Sequence, residues 1–448
     1  MGAVRPVRIA SVSAGEVAAG ILDASARGIA EHLADLIRAG RLPNGTRLPT
    51  VRALAATLHV GATTVATAWA VLHRDRLIRS DGRNGTFVRD LSPVLDRSAG
   101  ALLDLTGFEH PAELVPDLSP FLTRAADELG RGHVGGVEVD DVLGNLLRET
   151  WPFLPGSTAV TWSYAETLAH LAAGTVRAGD RVVVEEACSP ETAAVLAPLH
   201  VQLIHVACDA AGMLPDELER ALSSRPAMVI IQPRYADPLA HRMTEARARQ
   251  LAVVLAKTDV LVVEQDCATA LATSEGVSVG RHLPDRTVLV RDLRRAYGPR
   301  VRVALVGGAS PVVERIRHRQ ELLGSFLAPI AQRAVASMLI DPVVSDLVAA
   351  SRWRFARRWH VLARSVRALG LEVSGSGGLA LWVGVPAAEQ VVSRLHEGGV
   401  LVRHGYGLTE PDRADRHVWI SATSPAPHHR RVEALLGEAL SDRGAVSC

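Results

Sequence analysis

Apolar side chains recur at helix-face spacing from residue 21 to residue 38, where Ile29, Leu33, Leu36 and Ile37 would share one stripe. Residues 1–19 show no such period and read as irregular. The turn cluster Arg41-Leu42-Pro43-Asn44-Gly45-Thr46 separates this helix from a second over 51–58, which Thr50 is placed to cap. Beyond Gly61 a third helix is expected over 63–74, with Val65, Ala68, Trp69 and Leu72 inward. A strand over 77–80, a tight turn at 81–85 and a returning strand over 86–89 follow. Three short helices and a two-stranded wing are the parts of a winged helix-turn-helix.

Residues 91–103 read as a linker. Strand and helix then alternate, which predicts an α/β domain with a mainly parallel sheet covered by helices. The clear strands are 181–185, 201–206, 228–232, 260–264 and 287–290, with a helix over 246–256 that Thr244 would cap. An arginine-rich helical run over 344–369 leads to a smaller C-terminal αβ region with strands near 379–383 and 418–421. The expected division is 1–90, linker 91–103, a large domain 104–345 and a small subdomain 346–448.

A 48% hydrophobic composition can fill large cores, yet no apolar run reaches the roughly 18–20 residues that span a bilayer. The N-terminus lacks a charged segment leading into an apolar core, so a cytoplasmic protein without a membrane partner is expected. Cys188, Cys208, Cys267 and Cys448 have no C-x-x-C spacing and the histidines no H-E-x-x-H pattern, which argues against a disulfide framework and a metal site. P-loop and G-x-S-x-G motifs are missing too. Gly375-Ser376-Gly377-Gly378-Leu379-Ala380 looks like a nucleotide loop but precedes a strand instead of opening a helix, so it is set aside. Net charge is +1, but residues 1–90 hold 12 arginines against seven carboxylates. That local excess suits phosphate, although a solvated arginine face would have the same composition. Lys257 is the only lysine. It follows the helix over 246–256, and its expected role is pairing with that helix's negative end.

The run from Ala39 to Ala55, with Gly82-Arg83-Asn84-Gly85-Thr86-Phe87-Val88 at the wing, resembles the GntR family of bacterial regulators. The resemblance implies double-stranded DNA as partner, with the third helix in the major groove. Thr63 and Thr64 would donate to phosphate or base edges, and Arg52 would reach the backbone or a guanine. Arg47 lies in the matching run; Gly85 would let the wing backbone approach DNA with Arg83 beside it. Helix capping by the threonines and plain solvation of Arg83 are the alternatives. Family members usually carry a Ser/Thr-Arg pair where Gly61-Ala62 stand and a polar residue where Ala66 stands, so weaker binding or displaced specificity is expected.

Asp104-Leu105-Thr106-Gly107 and Leu114-Val115-Pro116-Asp117 resemble the start of the effector domain in the MocR subfamily, which is similar to fold-type I aminotransferases. The similarity continues through Gly179-Asp180-Arg181, Val263-Glu264-Gln265-Asp266, Pro299-Arg300-Val301-Arg302 and Ile420-Ser421-Ala422. It implies the PLP-dependent transferase fold and a head-to-tail homodimer. Such a fold holds pyridoxal phosphate through a lysine imine, a carboxylate, ring contacts and a phosphate cup. Here the lysine's place falls to Arg295, whose guanidinium stays protonated and cannot form an imine. The Asp-x-Tyr pair falls at Gln265 and Cys267, with Asp266 on the opposite strand face. The phosphate turn becomes Trp162-Ser163-Tyr164-Ala165-Glu166, where Glu166 would repel a phosphate. The arginine that grips a substrate carboxylate aligns near Trp419, while Arg302 matches the phosphate-neutralising arginine or serves a structural ion pair.

No covalent cofactor and no catalysis are therefore expected. Ser163, Tyr164, Asp266, Arg295 and Arg302 are the pocket candidates, and with Arg294 and Arg300 nearby a small anionic effector is the favoured ligand. The expected protein is a DNA-binding regulator whose aminotransferase-like domain dimerises and senses a ligand other than covalent pyridoxal phosphate. A pyridoxal-phosphate-responsive regulator or aminotransferase, and a scaffold protein with weak DNA binding, are the alternatives.

Overall fold

The computed structural model describes residues 12–21, 23–38, 42, 46–74, 77–80, 85–88, 102–130, 139–272 and 276–441. The chain divides into two compact units, Met1–Ala99 and Gly100–Cys448, with the division inside the expected linker.

The first unit comprises α1 (Ala14–Ala18), α2 (Ala26–Arg38), α3 (Val51–Leu58), α4 (Ala62–Arg74) and an antiparallel hairpin, β1 (Ile78–Ser80) with β2 (Thr86–Val88). Helix α1 lies where irregular chain was expected. A five-residue helix is too short to display a period, but its start was marked: Ser13 Oγ accepts from Glu16 N at 3.2 Å, and Glu16 accepts from Ser13 N at 2.8 Å. Helix α2 begins later than its apolar stripe suggested, because Asp23 accepts from Ser25 N at 2.9 Å and holds the chain in a turn. Thr50 caps α3 as expected, accepting from Ala53 N. His59 ends that helix in the left-handed region, at φ 55°. Val65, Ala68, Trp69 and Leu72 of α4 pack on Ile29 and Leu33 of α2, Leu54 of α3 and Val88 of the hairpin.

In the second unit a seven-stranded sheet contains β3 (Ser157–Thr161), β4 (Arg181–Glu185), β5 (Gln202–Val206), β6 (Met228–Ile231), β7 (Leu261–Gln265), β8 (Thr287–Asp292) and β9 (Ala304–Gly308), in the order β3-β9-β8-β7-β6-β4-β5. The strands expected from the sequence pair in parallel, whereas β9 runs antiparallel to both β8 and β3. Strand β9 escapes sequence reading because it ends in glycines, usually a turn signal. Gly307 is there to make room: a Cβ would sit 2.7 Å from the Trp151 ring. Both sheet faces are buried, since Val182 and Val184 join one core and Val183 the other. The helices that shape the cleft are α5 (Tyr164–Thr175), α6 (Pro190–Leu196), α7 (Glu245–Leu255) and α8 (Arg294–Tyr297). Thr244 caps α7, as expected.

Helix α9 (Pro342–Ala368) runs 27 residues, roughly 40 Å at 1.5 Å per residue. Phe355 belongs to the core of the large sheet, while Trp359, Leu362 and Val366 belong to the C-terminal core. The boundary expected at 345/346 therefore falls within a continuous helix that serves both cores. The C-terminal sheet comprises β10 (Glu372–Val373), β11 (Ala380–Gly384), β12 (Arg403–His404) and β13 (His417–Ser421), antiparallel in the order β10-β11-β13-β12. Among the described residues no single helix is long and apolar enough to cross a membrane.

Candidate functional site

On the first unit, Arg47, Arg52 and Thr63 are exposed and Thr64 is half-buried. Arg47 bridges to Phe87 of β2, flanked by the bonds Leu48 N to Thr86 O and Val88 N to Thr46 O, at 2.8 and 2.9 Å. Its guanidinium lies against Gly85, where φ is 112° and a Cβ would come within 2.9 Å of Arg47 Nε. The fold thus joins two of the expected DNA-contacting residues at the wing. Arg83 lies outside the described residues. Ala66 is exposed and presents only a methyl, while exposed Thr67 donates to Thr63 O at 2.9 Å. Sequence reading missed Arg79, whose guanidinium stacks 5.2 Å over Phe87, and the His73–Ser80 contact at 2.8 Å that ties α4 to the hairpin. Both depend on hairpin register, which places Arg79 opposite Phe87.

On the second unit, Arg295 is buried between Asp237 and half-buried Glu191, at 3.0 and 3.1 Å. Arg294 pairs with Glu191 and lies 3.8 Å from Asp292. Burial alone would lift the Glu191 carboxyl, but Arg295 and Arg294 together hold it below its ordinary value. Asp237 stays raised because burial outweighs Arg295 and the bond from Trp419 Nε1 at 2.6 Å. Burial opposes the charge on Arg295, yet Glu191 and Asp237 raise its pKa further. This guanidinium also lies 4.5 Å over the Phe108 ring.

The N-terminus of α5 is occupied by the protein's own acceptors. Tyr164 N donates to Asp292 at 3.0 Å, Trp162 N to Glu166 at 2.6 Å, and Glu166 N to Ser163 Oγ at 3.1 Å. Tyr164 is fully buried, its hydroxyl 2.9 Å from Thr192, so Ser163 and Tyr164 close this end. Gln265 meets Ser189 and Thr192 at 3.0 and 3.2 Å. Asp266 faces away, as alternation predicts, and pairs with Arg234 and Arg291.

Arg302 is a correction. Val301 and Val303 are buried, so the alternating backbone turns Arg300 and Arg302 to solvent, and neither lines a cavity described here. Arg403, which the sequence did not single out, lines the cleft instead. Its cavity of about 270 Å³ is bounded by Thr106, Phe108, His110, Glu191, Arg403 and Trp419, beside Arg294 and Arg295. On the side of Arg295 facing Tyr235 and Ala268 about 10 Å³ remains, room for one water at most. Lys257 lines none of these spaces. It is exposed and pairs with Glu219 instead of the end of α7. A more open cleft of about 660 Å³ is lined by Glu186, Asp209, His241 and Arg413 among others, with Glu186 paired to Arg413 and Asp209 to Arg247. Among the described residues no acid, histidine and cysteine cluster could hold a metal.

Residues 25–88 match the bacterial regulatory proteins of the gntR family. Over 403 residues the chain is 28% identical to the vitamin B6 salvage pathway transcriptional repressor PtsJ of Salmonella typhimurium, covering 88% of this chain and 93% of that protein. Over 95 residues it is 40% identical to the HTH-type transcriptional regulator Rv1152 of Mycobacterium tuberculosis, covering 21% of this chain and 78% of that protein. The crystal structure of LysN, an alpha-aminoadipate aminotransferase from Thermus thermophilus, aligns with a TM-score of 0.68 at 16% identity, covering 83% of this chain and 99% of that one. This last likeness establishes the aminotransferase-like fold of the second unit. With its helix-turn-helix unit placed ahead of that fold, the chain belongs to the gntR family of bacterial regulatory proteins.

Proposed function

We propose that the protein is a cytoplasmic DNA-binding transcriptional regulator of the MocR type, without enzymatic activity. Its aminotransferase-like domain mediates a head-to-tail homodimer and senses a small anion that is not covalently bound. The supporting observation is Arg295: at the position to which the sequence resemblance assigns the imine lysine stands a guanidinium, buried in ion pairs with Glu191 and Asp237. The remaining residues do not fit pyridoxal phosphate either. The amides of Trp162, Tyr164 and Glu166 at the start of α5 already serve Glu166, Asp292 and Ser163, and Gln265 offers an amide where the resemblance expects a carboxylate for the ring nitrogen.

The DNA reading is supported by Arg47, Arg52 and Thr63 at the surface and by the regulator names of the relatives. Dimerisation is supported by exposed Leu322, Leu323, Phe326, Ile330, Ile340 and Val343, apolar surface that a partner would cover. The test is fluorescence anisotropy on the protein's own promoter fragment, paired with visible absorbance of the purified protein. Salt-sensitive binding is expected, weakened about tenfold or more by Arg52→Ala, with no internal-aldimine band. A yellow protein, or DNA affinity indifferent to Arg52, would sink this reading. The name of the Salmonella relative favours a second one, noncovalent response to a B6 vitamer; saturable retention of pyridoxal phosphate in equilibrium dialysis would select it.

A further inference from the structure

We infer that the cleft beside Arg295 is a carboxylate site, in which Arg403 grips a small flat monoanion whose ring lies against Phe108 and Trp419. The inference deepens the noncovalent sensing proposed above and rests on it. Arg403 stands directly across from Trp419 in the pairing of β12 with β13, and its guanidinium lies 5.8 Å from the Trp419 ring centre. Its Nε donates to Thr106 O. No carboxylate of the described residues comes within ion-pair distance of it, and its outer N–H groups bond to none of the described residues. The deeper cations differ: Arg294 and Arg295 are both matched with carboxylates. No carboxylate touches this half-buried guanidinium, although Asp237, Asp104 and Glu191 act on it at longer range, and an arriving carboxylate would supply the missing direct contact through a paired hydrogen bond to the planar fork.

The lining also sets the charge, size and shape of the occupant. Arg294, Arg295 and Arg403 stand against Glu191 and Asp237 in the lining, and Asp292 lies 3.8 Å from Arg294 behind it, so little positive charge is left over. His110 adds none near neutrality, since burial lowers its pKa despite the bond to Arg295 O. With so little surplus positive charge, a monoanion is favoured over a dianion. About 270 Å³ is just below the usual range of ligand pockets, which begins near 300 Å³, so a compact acid fits better than a nucleotide. Phe108 and Trp419 meet edge to face at 5.5 Å, and Pro190 and Pro299 complete apolar walls suited to a ring.

Calorimetric titration of the full-length protein tests this with benzoate and indole-3-acetate as probes, and benzamide, tryptamine and inorganic phosphate as comparisons. At least one of the two acids is expected to bind, with the amide, the amine and phosphate at least about tenfold weaker. Arg403→Gln should lose about tenfold or more in affinity for the acid, Arg403→Lys should fall between, and exposed Arg302→Gln should match the parent. Equal affinity in Arg403→Gln, phosphate binding as tight as the acid, or no binding of either acid overturns the assignment. The wild-type probe comparison stands even if Arg403→Gln fails to fold. Failure here is separable from failure of the regulator reading, because operator affinity and visible absorbance are measured without these ligands.

Discussion

Arg295 forms two ion pairs, and one of its partners, Asp237, is itself buried. Removing the cation strands that carboxylate, whereas Glu191 keeps Arg294. Arg295→Met is therefore expected to destabilise the second unit by roughly 3–5 kcal/mol, read as a fall in its calorimetric transition. A transition unmoved by the substitution would show that the network is slack. Glu264 offers a pH test at the same scale. Burial lifts its carboxyl from the ordinary 4.5 to about 7, despite bonds from Ser278 and from Val279 N. Folding takes up a proton there, so this contribution to stability is full below about pH 4.5 and is lost as pH rises through about 7. Calorimetry across that window should show a shallower decline in Glu264→Gln than in the parent; parallel curves would contradict the assignment.

At the scale of elements, the first unit depends on interlocked short pieces. Leu33 of α2 is wholly buried against α4, so Leu33→Ala should cost about 2–5 kcal/mol and lower the melting of the first unit while leaving the second in place. Gly85 enters β2 at φ 112°, with the Arg47 guanidinium against it. Gly85→Ala should strain the backbone at that position by about 1 kcal/mol or more and push the Arg47 guanidinium aside, weakening DNA binding beyond what the stability loss explains. Unchanged anisotropy curves for this variant would remove the wing from the interface. The helices of this unit were legible because stripe and cap are local: Thr50 and the residues after Gly61 announce α3 and α4. The hairpin contacts of Arg47 and Arg79 were not, since they arise from pairing between segments whose register the local pattern leaves open.

For the whole molecule, net charge is only +1, so attraction to DNA must come from the local arginine excess of the first unit. Affinity should fall steeply between low and physiological salt; a flat isotherm series would point to the scaffold alternative. Assembly is testable apart from DNA. Leu323 is 65% exposed and Val343 67% exposed, and the double substitution Leu323→Asp with Val343→Asp should convert a dimer to a monomer in sedimentation velocity. A parent that sediments as a monomer would refute the dimer outright.

Local pattern was enough to expect a winged helix-turn-helix ahead of an α/β unit, and composition enough to find that Lys257 is the only lysine. Those conclusions need only spacing and side-chain identity. Which arginines face the cleft was decided by tertiary structure: alternation between buried Val301 and Val303 expels Arg302, and strand pairing across from Trp419 brings in Arg403. The closure of the α5 terminus by Asp292, a residue 128 positions from Tyr164, was equally out of reach of local pattern. Burial and partner choice are nonlocal quantities, set when distant strands come into register.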